Sequence, residues 1–155
     1  MHQGRPAGRG HQGASGSINH ARSSAVGNED TPPRRQEFDA PLPADVHDLD
    51  LVINFLFYHD TYWMKVDNAA MNRAVFAALR PGGAYVIVDH SAAPGTGTSA
   101  SQTLHRVEES VVRAEVEAAG FRLATSADFL RNPAAATKAG RRGQADRFIL
   151  KFVKP

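Results

Sequence analysis

The chain has 155 residues, of which 42% are hydrophobic, and this length suits one ordinary domain rather than two enzyme domains. It has no cysteine, which excludes disulfides, thiolate metal sites and a cysteine nucleophile, and which fits a reducing compartment. The longest apolar run, residues 51–58, is too short to cross a bilayer, and the first thirty residues contain no signal-peptide core. The sequence therefore predicts a soluble, cytoplasmic protein.

Basic residues are concentrated in the first 36 residues. This segment carries five arginines against two acidic residues, a net charge of +3, whereas the rest of the chain has 13 basic and 14 acidic residues. A nearly neutral folded part has no broad electrostatic footprint for phosphates. We therefore predict no specific nucleic-acid partner, although the basic segment could make weak, nonspecific contacts.

The same segment, residues 1–36, is rich in Gly, Arg, Ser, His and Pro and contains no aromatic residue. Such a composition cannot bury enough apolar surface to offset the entropy lost on ordering. Its glycines lack the preceding strand and following helix that a phosphate-binding loop requires. We predict that residues 1–36 are a disordered tail and that residues 37–155 form the folded part.

From residue 48 onward, apolar runs alternate with amphipathic segments. Residues 51–57 form a continuous apolar run, typical of a strand covered on both faces. Asp67 or Asn68 can cap a helix that ends at the Arg-Pro-Gly-Gly sequence of residues 80–83. The pattern then predicts a strand at 84–88 ending at Asp89-His90, a loop at 94–101, a helix at 109–119 ended by Gly120, a strand at 121–130, a mobile loop at 131–145 and a strand at 146–153.

This order of elements predicts an α/β fold with a mixed sheet. Two strand–helix–strand units imply right-handed parallel crossovers. The last two strands have no helix between them and are most simply antiparallel. Four strands are too few for a complete doubly wound domain.

Three segments, residues 48–53, 78–90 and 115–121, resemble the second half of Rossmann-like (class I) S-adenosylmethionine-dependent methyltransferases. They carry the L-R-P-G-G and A-A-G-F sequences that precede late strands of that fold. The finer pattern, with Y-H-D at 58–60 and T-L-H-R at 103–106, is similar to a bacterial subfamily of predicted methyltransferases. The resemblance covers residues 37–155. It implies a partial sheet whose strands, numbered as in the complete methyltransferase sheet, lie in the order 4-5-7-6 with strand 7 antiparallel.

The resemblance also implies S-adenosylmethionine as cofactor and a small molecule as methyl acceptor. It places Asp39 and Ala40 near the adenine, and Asn54 and Tyr58 at the cofactor end of the first strand. The family's Gly-rich turn after strand 1 has no match upstream of Asp39. Open α/β sheets bind ligands where the strand order reverses, and in this family strand 1 forms one wall of that cleft. Because strand 1 has no match here, we expect that the chain is truncated or degenerate. We also expect it to bind the cofactor weakly or not at all by itself.

The resemblance indicates catalytic and substrate-binding candidates after the first two strands. His59, with Asp60, could remove a proton from the methyl acceptor, since imidazole titrates near neutrality; the alternative is a structural His–Asp pair that orders the loop. Asp89 and His90 could line the substrate pocket, although adjacent strand residues point to opposite faces.

His105 and Arg106 could bind a substrate carboxylate or phosphate, or could simply lie on a solvated approach to a helix. No pair of histidines at helical spacing and no H-E-x-x-H motif is present, so no metal site is predicted.

Two functional hypotheses follow. The first is the C-terminal half of a small-molecule methyltransferase, and the second is an inactive half-domain that acts as an interaction or orphan fragment. A nucleotide-binding domain of other chemistry is disfavoured, because it too needs the glycine turn. In either case the strand at 51–57 would expose a hydrophobic edge, which predicts self-association.

Overall fold

The computed structural model describes residues 37–135 and 145–155, which form one mixed sheet with helices. The predicted disorder of residues 1–36 and most of the predicted mobile loop, residues 136–144, lie outside the described residues. In chain order the elements are β1 (Leu49–Phe55), α1 (Tyr58–Trp63), α2 (Asn68–Ala78), β2 (Leu79–His90), α3 (Ser101–Leu104), α4 (Glu109–Ala118), β3 (Arg122–Ala127), a 3-10 turn (Pro133–Ala135) and β4 (Arg147–Val153).

The four strands lie in the order β1-β2-β4-β3. Strands β1 and β2 are parallel, and β4 is antiparallel to both β2 and β3. This confirms the predicted α/β fold with a mixed sheet, and the order is that of strands 4-5-7-6 in the methyltransferase sheet. Within residues 37–135 and 145–155, no strand pairs with the second edge of β1.

The predicted start of α2 and the predicted end of α4 are confirmed. The Asp67 carboxylate accepts a hydrogen bond of 2.9 Å from the backbone N–H of Ala70 and caps α2, a contact worth about 1 kcal/mol. Helix α4 gives way to Gly120, whose φ of 104° is favourable for glycine and costly for other residues.

The short helices α1 and α3 were not predicted, because residues 58–65 were interpreted as a polar and aromatic connection and α3, with four residues, is too short for a periodic pattern. A further difference concerns residues 80–83, which were predicted to end the helix. Helix α2 already ends at Ala78, and residues 80–83 belong to the irregular start of β2, which begins at Leu79. A Cβ atom on Gly83 would lie 2.8 Å from the carbonyl oxygen of Arg80 and 2.9 Å from that of Leu49. Only glycine therefore permits the close approach of the chain to β1.

One face of the sheet, here called the closed face, carries the core. Alternate residues of β2 and β4 pack there against helices α2 and α4, and each fully buried aliphatic or aromatic side chain contributes about 1.5–3 kcal/mol. The main contributors are Tyr85, Ile87, Phe148, Leu150, Phe152, Val75, Val112 and Val116.

The opposite face, here called the open face, begins with Leu51, Ile53 and Phe55 of β1, which are 49%, 57% and 59% exposed. These residues share their face with Val86 and Val88 through the register of β1 and β2. The predicted strand is thus covered on one face only. Among the described residues, no helix combines the length and apolar character needed to cross a bilayer.

Candidate functional site

The candidate site lies at the carboxyl ends of the parallel strands β1 and β2, where ligands of open α/β sheets bind. Strand β1 turns into α1 through Leu56, whose φ is 54°. This backbone conformation is costly for a side chain larger than glycine, and such strain clusters at functional sites. The backbone N–H of Leu56 donates to the carbonyl oxygen of Val88 over 2.8 Å, so that the first turn of α1 is held against the end of β2.

His59, in that first turn, is fixed by Asp89 at the end of β2. The ring Nδ1 lies 2.5 Å from Asp89 Oδ1, and the His59 backbone N–H donates to Asp89 Oδ2 over 2.8 Å. Both residues are buried. An Nδ1–H that donates to the carboxylate leaves the lone pair of Nε2 available, which is the arrangement of an oriented general base or of a metal ligand.

Asp60 connects α1 to the residue after α3. Its Oδ1 lies 3.2 Å from His59 Nε2 and 3.1 Å from His105 Nδ1, and it accepts a hydrogen bond of 2.8 Å from Trp63 Nε1. Partial burial alone would raise the pKa of Asp60, but the hydrogen bonds from Trp63 and His105 and the interaction with His59 outweigh it and lower the pKa. The group therefore remains an anion at neutral pH.

His90 and Arg106, both predicted to bind substrate, lie beside this cluster. The ring of His90 is 5.6 Å from that of His59, so the two histidines are neighbours although Asp89 and His90 are adjacent in one strand. Burial lowers the pKa of His90 more than the carboxylate of Asp89 raises it, which favours the neutral imidazole. Arg106 is buried, rather than lying on a solvated approach, and its Nη1 donates to the carbonyl oxygen of Ser91 over 3.3 Å.

The four residues predicted to face the cofactor lie in three different environments. Asn54 lines a largely apolar pocket of about 330 Å³ at the free edge of β1, where the rings of Phe38 and Phe57 contact each other at an angle of 38°. The Asn54 Oδ1 atom is buried without a hydrogen-bond partner. Asp39 and Ala40, which directly follow Phe38, are exposed in a turn.

Tyr58, the fourth predicted cofactor residue, is instead fully buried in the core. Its hydroxyl donates to Glu115 Oε2 over 2.9 Å and accepts a hydrogen bond from Asn72 over 2.7 Å. These contacts join α1 to α2 and α4, which is the role of a structural residue.

A second cavity, of about 480 Å³, starts at Ser91 and extends along the beginning of α4. Arg131 lies on its wall, 2.9 Å from the carboxylate of Glu109 and 3.4 Å from that of the buried Asp146. The sequence analysis missed these residues, because Arg131 and Asp146 flank a segment that resembles an ordinary loop. The loop glycines at 95 and 97 are also ordered: their N–H groups both donate to Glu108 Oε2 over 2.9 Å.

Comparison with solved structures identifies the fold as that of S-adenosylmethionine-dependent methyltransferases. One similar structure is a SAM-dependent methyltransferase from Methanosarcina mazei, with 14% identity, a TM-score of 0.52 and coverage of 86% of this chain and 73% of that one. Another is a candidate methyltransferase from Haloferax volcanii in complex with the methyltransferase activator Trm112, with 17% identity, a TM-score of 0.51 and coverage of 77% and 60%.

The [4+2]-cyclase SpnF is also similar, with 15% identity and a TM-score of 0.51, and the match covers 76% of this chain. The chain spans only 53% of the length of that cyclase. No protein-family model matches the sequence, and a search of curated proteins finds no match either. Because one fold hosts different chemistries, the reaction must be argued from the site itself.

Proposed function

We propose that this chain forms the acceptor side of a methyltransferase that uses S-adenosylmethionine and modifies a small molecule. The observation that carries the proposal is the buried pair of His59 and Asp89 at the carboxyl ends of two parallel strands. The ring nitrogen Nε2 of His59 points away from Asp89 and toward Asp60. The side chain of Asp60 is partly open to solvent. An acceptor placed there would meet an oriented proton acceptor.

In this proposal the protein positions the acceptor and moves one proton. S-adenosylmethionine supplies the methyl group when bound. Nε2 of His59 would accept the proton that the acceptor loses on methylation, and Asp89 would stabilise the resulting imidazolium. Asp60 would offset the charge of that imidazolium from the side of Nε2, while His90, His105 and Arg106 would surround the acceptor.

The pocket at the free edge of β1 fits one part of the cofactor. Its apolar lining, which includes the rings of Phe38 and Phe57, suits a flat aromatic group such as adenine. The unpartnered Oδ1 of Asn54 could accept a hydrogen bond from a ligand amine. Asp39 and Ala40 extend from Phe38 at the rim, which supports their predicted place near the adenine.

The proposal is tested with the full chain, S-adenosylmethionine labelled on its methyl group and a protein-free filtrate of cell extract as the source of acceptors. We expect label in small molecules, reduced by a factor of about 10²–10⁴ in His59→Ala. The matched control is His47→Ala, because His47 is exposed and, among residues 37–135 and 145–155, its side chain pairs with its neighbour Asp48 alone.

Cofactor binding is measured separately by calorimetry. A chain that binds S-adenosylmethionine but transfers no label, or whose His59→Ala variant transfers as much as the parent, overturns the proposed role of the site. A chain that binds no S-adenosylmethionine overturns independent catalysis and supports the second candidate function.

That second candidate is an inactive half-domain that acts through protein contacts. The exposed side chains of Leu51, Ile53 and Phe55 favour it, because they lie on a strand whose second edge has no partner strand in the described part of the chain, and such apolar rows mark interaction surfaces. The Haloferax volcanii structure, a complex with an activator protein, gives a precedent for a partner on this fold. The partner that we propose for this surface is a second copy of the chain.

A further inference from the structure

We propose that His59, Asp60 and His105 bind a divalent first-row transition-metal cation. The three residues come from two separate elements, the first turn of α1 and the residue that follows α3. Their candidate ligand atoms, His59 Nε2, Asp60 Oδ1 and His105 Nδ1, all lie within 4.8 Å of one another. This site extends beyond the proposed methyl transfer and is derived from the side chains alone.

Two of the three ligand–ligand distances match those between neighbouring ligands of one cation, and the third, between the two histidine nitrogens, is at most 4.8 Å. The carboxylate oxygen is 3.2 Å from the nitrogen of His59 and 3.1 Å from that of His105. With metal–ligand bonds of about 2.0–2.1 Å, ligands of a tetrahedral cation stand about 3.3 Å apart, and those of an octahedral one slightly less. A cation can therefore enter this site with small side-chain movements.

The chemistry of His59 favours a positive charge at this point. Both ring nitrogens face carboxylate oxygens, Nδ1 that of Asp89 and Nε2 that of Asp60. A neutral imidazole has only one N–H, so with Nδ1–H directed to Asp89 the lone pair of Nε2 meets a lone pair of Asp60. Either a second proton on the ring or a metal cation between the two atoms removes this repulsion.

The surroundings are those of a supported metal site. The buried carboxylate of Asp89 fixes the ring of His59 through Nδ1, as the outer carboxylate does in carboxylate–histidine–metal arrangements. Trp63 Nε1 fixes Asp60 from the other side. His105, with a left-handed φ of 53° and 59% of its side chain exposed, leaves a route for the cation from solvent.

Two histidines and one carboxylate select the class of cation. Imidazole ligands suit Zn²⁺, Fe²⁺, Co²⁺ and Ni²⁺, whereas Mg²⁺ and Ca²⁺ prefer oxygen ligands. Three protein ligands leave at least one position open for a small molecule. Because the cation would occupy the lone pair that accepts a proton in the proposed methyl transfer, the two uses of Nε2 exclude each other.

The test uses the full chain, freed of metal with a chelator and titrated with Co²⁺, whose visible absorption reports coordination by nitrogen and oxygen. We expect one equivalent to bind, Zn²⁺ to displace it and Mg²⁺ to leave it in place. Because no methyl transfer is measured, failure here and failure of the proposed function are distinguishable.

Variants locate the site. His105→Ala removes an exposed ligand, so it should leave the fold intact and weaken Co²⁺ binding at least tenfold, while His47→Ala, at an exposed histidine outside the cluster, should bind as the parent does. Asp89→Asn should weaken binding about 10- to 100-fold through the loss of the outer carboxylate. Absence of a cobalt spectrum, or an unchanged affinity in His105→Ala, would overturn the proposal.

Discussion

The carboxylate of Asp89 holds His59 twice, at the ring nitrogen Nδ1 and at the backbone N–H, and so joins the end of β2 to the first turn of α1. The same carboxylate also accepts a hydrogen bond of 2.6 Å from the backbone N–H of His90. Three donors from two elements thus converge on one buried anion. These contacts hold the first turn of α1 against the end of β2.

Asp89→Asn is expected to disturb both the ring of His59 and the fold. An asparagine offers one acceptor oxygen where the carboxylate offers two, so at least one of the three donors loses its partner, at a cost of about 1–3 kcal/mol in the free energy of unfolding. Nitrogen NMR of the metal-free chain should show the His59 proton on Nδ1 in the parent protein. In Asp89→Asn a substantial share of that proton should move to Nε2.

A merely structural role of Asp89 would lower stability and leave the tautomer of His59 unchanged. That result would contradict the proposed positioning of the ring, since the proton location depends on the partner of Nδ1. His47→Ala serves to assign the histidine signals and should alter neither quantity.

A second prediction concerns Glu115, whose Oε2 accepts hydrogen bonds from the hydroxyls of Tyr58 and Tyr62, over 2.9 and 3.0 Å, and from Asn68 Nδ2, over 3.2 Å. Glu115→Ala removes the acceptor that all three donors share. We expect the free energy of unfolding in urea to fall by about 1–3 kcal/mol or somewhat more, because the hydroxyl of Tyr58 is buried.

Glu117→Ala, on the same helix, is the matched control. Glu117 pairs with Arg113 over 3.2 Å at a half-exposed position, and such a pair contributes about 0.3–0.5 kcal/mol. Equal losses in the two variants would mean that the network around Glu115 stabilises the fold no more than a surface ion pair does.

The strands and the long helices could be predicted from the sequence, but the group of side chains around His59 could not. The apolar runs and the Asp67 cap specify β1, α2 and β2 locally, because burial and capping depend on residue type and spacing. The contact of Asp60 with His105 joins residues 45 positions apart through α3, a helix of four residues with no periodic signal of its own. The H-D sequence at 59–60 indicated a site, but no spacing rule connects it to Asp89 or His105.

The position of Tyr58 shows a related limit. The end of an apolar strand was interpreted as a cofactor contact, yet the side chain turns into the core, where Asn72 and Glu115 satisfy its hydroxyl. Those partners lie on two other helices, so the sequence offers no local sign of the direction in which the side chain points.

A third prediction concerns alkaline pH. All three tyrosines of the chain have a raised pKa: burial raises that of Tyr85 to about 12, and burial together with the charge of Glu115 raises those of Tyr58 and Tyr62 further. Below pH 10 the stabilisation from protonated tyrosines is fully present. Above it the unfolded chain releases its tyrosine protons while the folded chain retains them, so stability falls by about 1.4 kcal/mol per pH unit for each tyrosine.

The measurement follows tyrosinate absorbance and circular dichroism together as the pH is raised. We expect no tyrosinate signal while the chain remains folded, and then a single rise that coincides with unfolding. Tyr62→Phe should reduce the height of that rise by one third. Tyrosinate that forms near pH 10 in a chain with native circular dichroism would contradict the burial of these hydroxyls.

The last prediction concerns the exposed row of Leu51, Ile53 and Phe55 on β1. Full burial of an aliphatic or aromatic side chain is worth about 1.5–3 kcal/mol, and the edge of β1 has unpaired backbone groups among the described residues, so two copies gain by joining these edges. Light scattering should show a mass that rises with concentration, and Ile53→Lys should shift the chain to the monomer, because burial of a charged side chain opposes association. Phe129→Lys is the control: Phe129 is 79% exposed and lies outside β1, so its replacement should leave association unchanged. A parent chain that stays monomeric at high concentration, or an equal effect of the two lysines, would show that the row on β1 does not join two copies.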